Sequence, residues 1–160
     1  VAIAVIAICA LAVSVWQTFE TRRHNRLLVK PHLIFITVLT KGETEVGLFL
    51  KNVGIGPAIL EKFDLYLDKK LMKDGTCGWS SILATFSLLG PESTWLQIAC
   101  PKQNNAVQVG ERWPVLAIKR DNLTDERFRS LIKILTRLDI LIRYQSLYEE
   151  TFEVQLRLRE

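Results

Sequence analysis

Two histidines, three cysteines and one methionine are all that this 160-residue chain holds of the softer, metal-loving side chains. That scarcity excludes a disulfide-dense scaffold and leaves no spacing that reads as a metal centre. His24 and His32 stand eight residues apart across Pro31, where a shared helix face is not expected, and neither has a cysteine near it in sequence to form a nucleophile pair. Glycine-rich phosphate loops are missing too, and no basic segment interleaved with aromatics occurs outside residues 22–30, so nucleic acid is not an expected partner. The formal charge is only +4, with Lys and Arg scattered among acids. No metal, cofactor or catalytic residue is assigned from the sequence.

Charge is lacking most conspicuously at the start. Residues 1–16 carry none, and they run into Gln17-Thr18-Phe19-Glu20-Thr21-Arg22-Arg23-His24-Asn25-Arg26, which is polar and basic. A membrane boundary is the expectation. Sixteen residues of helix cover ~24 Å of a ~30 Å hydrocarbon core, so the span is expected to be completed by residues preceding Val1. Ala10-Leu11-Ala12 has the small-x-small spacing of a signal-cleavage site; the reading adopted is an uncleaved anchor. Trp16 and Phe19 suit the headgroup layer, and Arg22, Arg23, Arg26 and Lys30 follow as the positive flank, which favours a cytoplasmic soluble domain, with a periplasmic one as the alternative. Ala10 and Ser14 form a small-xxx-small pair through which two helices could pack. Cys77 and Cys100 are expected to stay reduced on the cytoplasmic side and would pair on the other.

Residues 1–30 therefore read as a transmembrane helix with a basic extension, and 31–160 as one soluble domain of ordinary size. Period-two alternation dominates the latter. Phe63, Leu65 and Leu67 alternate with Asp64, Tyr66 and Asp68; Ile140, Ile142 and Tyr144 alternate with Asp139, Leu141 and Arg143; Phe152, Val154, Leu156 and Leu158 alternate with polar neighbours. Further strands are expected within 31–41, 45–53, 93–100 and 107–119, about seven in all. This predicts a mainly β fold, an immunoglobulin-like antiparallel sandwich with one or two connecting helices. One helix is announced by Thr124, Asp125 and Glu126, with Phe128, Leu131, Ile132, Leu135 and Leu138 on its inner face. A weaker one is expected over 79–88.

The most distinctive soluble segment is 50–58, with Asn52, Gly54, Gly56 and Pro57. A strand rather than a helix is expected to follow it, so it reads as a structural turn and not as a ligand loop. The carboxylates at strand faces, helix starts and hairpin tips all have routine explanations. The expected activity is therefore non-enzymatic: a membrane-anchored accessory or assembly subunit whose partners are the lipid bilayer and another membrane protein or a second copy. A ligand-sensing module coupled to the span, its pocket lined by Trp79, Trp95 or Trp113, is the alternative.

Thr21-Arg22-Arg23-His24-Asn25-Arg26-Leu27 running into Lys30-Pro31-His32-Leu33, then the 52–58 turn, then residues 142–150, resembles a group of small uncharacterised bacterial proteins with one N-terminal transmembrane helix. The likeness covers nearly the whole chain. It implies a bacterial inner-membrane protein and carries no catalytic residue. The group has Gly between the Tyr and Glu of the last hairpin, where Glu149 stands here.

Overall fold

A computed structural model describes residues 2–40, 42–72, 78–86 and 96–157. The first element is one unbroken helix, α1 (Ala2–Leu28), whose most apolar 18 residues have a mean hydropathy of 2.1. It is long and apolar enough to cross a membrane, and none of its residues is buried against the rest of the chain. Ser14 and Thr18 do not interrupt it, because their hydroxyls donate to the carbonyls of Ala10 and Ser14, both at 2.9 Å. Such back-bonding satisfies both hydroxyl donors within the helix itself.

Nine strands follow among the described residues: β1 (Leu33–Val38), β2 (Glu45–Asn52), β3 (Ala58–Leu67), β4 (Lys70–Leu71), β5 (Leu96–Ile98), β6 (Ala106–Val107), β7 (Arg112–Lys119), β8 (Leu138–Gln145) and β9 (Thr151–Arg157). They make two antiparallel sheets, one ordered β1-β2-β7-β5 and the other β4-β3-β8-β9 with β6 paired to the start of β3. The nine arise from the expected seven because the 107–119 stretch divides at the turn through Gly110 (φ +76°), and because β4 folds back on β3 after Asp68 and Lys69, both at positive φ. One apolar core joins the sheets, with Leu48 and Leu116 on one side and Leu65, Ile140 and Ile142 on the other. This is a β-sandwich-like arrangement. Edge strands β1 and β9 approach each other along one side.

Alternation is kept in β8 and β9, where Ile140, Ile142, Tyr144 and Leu156 are buried and Phe152 and Val154 half-buried. In β3 the register shift between Leu60 and Lys62 precedes the alternating stretch, in which Leu65 and Leu67 enter the core and Asp64 takes the opposite face, as expected. That face is drier than expected at Asp64, which is 9 % exposed and paired with Lys62 Nζ at 2.6 Å, an arrangement that keeps its charge compensated.

Helix α2 (Trp79–Thr85) and helix α3 (Asp125–Leu135) connect strands. The rest of the expected 79–88 helix beyond Phe86 lies outside the described residues. Trp79 is fully buried, and its indole Nε1 donates to the Ala99 carbonyl at 2.8 Å, giving the one polar atom of the ring a partner. In α3 the Thr124 hydroxyl accepts from Arg127 N at 3.2 Å, the cap anticipated from its position. The buried face is Leu131, Ile134 and Leu135, with Phe128 and Ile132 only half-buried. Ile134 was missed and Ile132 overvalued because the helix is rolled from the expected face: Leu131, Ile134 and Leu135 keep the i, i+3, i+4 spacing, with Ile134 in the place given to Ile132. Leu138 already belongs to β8.

Candidate functional site

The polar chemistry of the molecule converges where α1 enters the sandwich. Asn52 closes β2 and is completely buried. Its Oδ1 accepts from His32 N at 3.3 Å and Gly54 N at 3.0 Å, while Nδ2 donates to the carbonyls of Gly56 at 2.8 Å and Val107 at 3.0 Å. A neutral amide offers two donors and one acceptor oxygen, and every one of these is engaged here. The Asn52 backbone is held as well, its N–H donating to Glu111 O and its carbonyl accepting from Gly110 N. One side chain thus ties together the connector after α1, the 53–57 turn and the end of β6.

The turn and the connector also bond directly. Val53 N donates to His32 O at 2.8 Å, and Ile55 N donates to Lys30 O at 3.1 Å. Gly54 and Gly56 are what allow the two backbones to run so close. An alanine Cβ at Gly56 would sit 1.9 Å from Val29 O, and one at Gly54 would sit 2.3 Å from His32 N. Neither glycine needs positive φ; each is required by the approach of another chain segment. Pro57, half-buried, leads straight into β3. Residues 53–57 thus bend between β2 and β3 with their backbone laid against the connector that follows α1.

Aromatic side chains complete the joint. Tyr144 is buried, stacks on Phe152 with centroids 5.6 Å apart, and its hydroxyl accepts from Leu33 N at 3.3 Å. Lys30 Nζ lies 5.4 Å from the Phe152 ring centre, and the Arg26 guanidinium lies 5.9 Å from that of Tyr148. Both are within reach of cation–π attraction, worth about 0.5–1 kcal/mol at exposed sites. Tyr148 stands on the β8–β9 hairpin, whose tip is fastened by Ser146: its buried hydroxyl accepts from Tyr148 N at 3.2 Å and Glu150 N at 3.3 Å. Glu149 there has φ +62°, the left-handed conformation that a glycine would adopt without strain.

Of the residues singled out in the sequence, the structure brings Arg26, Lys30, Asn52, Gly54, Gly56 and Pro57 to this one place. Ala10, Ser14, Trp16, Phe19, Arg22 and Arg23 remain on the bare helix, exposed and away from the sandwich. Sequence reading missed Tyr144, Tyr148, Phe152 and Val107 as members of the joint. The only available signal was the register implied by the β8–β9 hairpin, which sets Tyr144 opposite Phe152.

Chemistry finds little foothold elsewhere. Among the described residues no group of three His, Cys, Asp or Glu side chains could hold a metal ion. The Arg137 guanidinium is held above its ordinary pKa by its hydrogen-bonded pairing with Asp68, yet the pair is solvent-exposed and contributes little to stability. A concavity lined by Trp16, Gln17, Glu20, Thr21 and His24 is formed by one side of α1 alone and encloses nothing. Trp79, proposed above as a pocket wall, is packed solidly in the core, Trp113 is half-buried on β7, and Trp95 lies outside the described residues. Cys100 is disulfide-bonded, which corrects the reduced state expected of it; the Trp79 bond to Ala99 holds this segment against the start of α2. Cys9 is free and exposed on α1, and Cys77 lies outside the described residues.

Comparison with protein-family models, with curated proteins and with solved structures returns no match for this chain.

Proposed function

We propose that this chain is a non-enzymatic, single-pass protein of the bacterial inner membrane that serves as an accessory or assembly subunit, binding another membrane protein or a second copy of itself. The observation that carries this reading is the joint around Asn52: the most heavily hydrogen-bonded buried side chain described is spent on holding a bare apolar helix in one attitude toward a β domain. A tether that merely kept the domain near a membrane would need no such clasp. A tether that presents one face of the domain to a neighbour in the same bilayer does. Confinement to that thin layer raises effective concentration without new contacts, while the exposed helix surface at Ala10 and Ser14 and the sheet edges supply binding surface.

An immunoglobulin-like assignment is supported by strand order. Taken in chain order, β1-β2-β7-β5 and β4-β3-β8-β9 follow the A-B-E-D and C′-C-F-G pattern of that fold. The usual bridge between the second and sixth strands of that pattern is lacking, since neither β2 nor β8 contains a cysteine, and Trp79 from α2 fills the core instead.

Two features bear oppositely on which side of the membrane the domain occupies. The basic flank argues for the cytoplasm, but it is counted on one side of the span only. The disulfide at Cys100 favours an oxidising compartment, and giving it the greater weight we propose a periplasmic domain. A cysteine introduced at exposed Lys119 in a Cys9→Ala background should react with a membrane-impermeant maleimide, above the level of the Cys9→Ala chain itself, in cells whose outer membrane alone is permeabilised. Labelling only after the inner membrane is breached would return the domain to the cytoplasm.

Extraction of the full chain into mild detergent at moderate salt tests the function itself. Size-exclusion chromatography with light scattering should show a stoichiometric partner or a homo-oligomer. Strictly monomeric behaviour in every detergent and in nanodiscs would overturn the proposal.

A further inference from the structure

Seven large hydrophobic side chains outside α1 are exposed among the described residues, and five of them, Val53, Ile55, Val109, Leu147 and Tyr148, sit at the end of the sandwich where α1 enters. The grouping follows from pairings already described. Val53 and Ile55 belong to the turn bonded to His32 and Lys30; Val109 precedes Gly110, whose N–H donates to Asn52 O; Leu147 and Tyr148 tip the hairpin that reaches back to Arg26. Of the remaining two, Leu39 follows β1 at the opposite end, and Ile98 lies beside the middle of β7. Three separate loops thus present apolar tips in the one direction that faces the bilayer if α1 spans it.

We infer that these three loop tips form a second membrane contact, seated in the headgroup layer of the bilayer that α1 crosses; the inference rests on the reading of α1 as a membrane span. Distances agree. Phe19 marks the edge of the apolar region, and Arg26 stands about 10 Å beyond it along the helix axis. The headgroup layer is about 5–8 Å deep on each side. A tilt of about 20° toward the loops, usual for a span, lowers side chains beside the helix by the few ångström that remain. Tyr148, packed under Arg26, then lies at phosphate depth, with its hydroxyl end in the polar zone such rings favour.

Charge divides the work between loops and helix. The loops carry Glu111, Glu149 and Glu150, so their share is apolar insertion. Lipid phosphate is met by Arg22, Arg23, Arg26 and Lys30, all exposed on or just after α1. The clasp at Asn52 keeps the two sets in register, so that one tilt satisfies both.

Spin-label accessibility of the full chain, in a Cys9→Ala background and reconstituted into phosphatidylethanolamine–phosphatidylglycerol vesicles, decides the matter. Labels at Ile55→Cys, Leu147→Cys, Leu39→Cys and Leu11→Cys are compared for collision with oxygen and with a water-soluble nickel chelate. The expected result shifts Ile55→Cys and Leu147→Cys away from the bulk-water value of Leu39→Cys and toward the lipid value of Leu11→Cys. If the first two match Leu39→Cys while Leu11→Cys reads as lipid-buried, the loop contact is overturned and the span stands. If Leu11→Cys itself reads as water-exposed, span and loop contact fall together. Immobile labels shielded from both reagents would mean that protein covers the loops, which also overturns a lipid contact.

Discussion

Asn52→Ala is expected to destabilise the domain by about 3 kcal/mol, the cost of leaving several buried backbone groups without partners. Truncation removes the donors now satisfying the Gly56 and Val107 carbonyls and the acceptor now satisfying His32 N and Gly54 N. The two amides are only partly buried and can recruit water; the two carbonyls bond to the side chain in a buried setting and cannot do so cheaply. For a domain of this size the loss corresponds to roughly a 10 °C fall in melting temperature. Near-ultraviolet circular dichroism of the full chain in nanodiscs would register it through buried Trp79. Asn52→Asp, which retains the acceptors and loses both donors, should be no better than alanine. A change within about 0.5 kcal/mol of the parent, the range of ordinary surface substitutions, would contradict the role given to this residue.

Gly56→Ala should act differently, by unseating α1. The added Cβ would meet the Val29 carbonyl oxygen at 1.9 Å and its carbon at 2.4 Å, and backbone cannot swing aside as a flexible side chain can. Overpacking of this kind costs about 1–3 kcal/mol, and the connector can escape much of it only by abandoning its bonds from Ile55 N and Gly56 N to Lys30 O. Spin labels at Arg23→Cys and Lys119→Cys, again without Cys9, should give a narrow distance distribution in the parent and a broad one in Gly56→Ala. Gly42→Ala is the control: its Cβ would meet only Thr40 Cγ2, at 3.9 Å, so both the distribution and the stability should be unchanged. An equally narrow distribution in Gly56→Ala would show that the clasp does not set the helix direction.

Much of the architecture could be read from local pattern, because strand faces and helix caps are encoded by neighbours. Alternation in β8 and β9 and the Thr124 cap depend on residues two to four positions apart, and each appears where it was expected. The burial of Asp64 escaped because alternation assigns a residue to a face without reporting what covers that face. Ile134 escaped because the stripe a helix buries depends on how it rolls onto a core that the helix itself does not encode. The joint was half legible. Asn, two glycines and a proline in six residues announced a turn, but what the turn holds lies 20 residues back at His32 and 55 residues on at Val107. No local pattern reports a partner at that separation.

The attitude of α1 has a mechanical corollary. A 27-residue helix is about 40 Å long, so a swing of only about 10° at Lys30 carries its far end sideways by about 7 Å, close to the width of a neighbouring helix. Six residues of loop therefore act as the fulcrum of a long lever, and a single misplaced methyl group at the pivot would be felt at the distant end of α1.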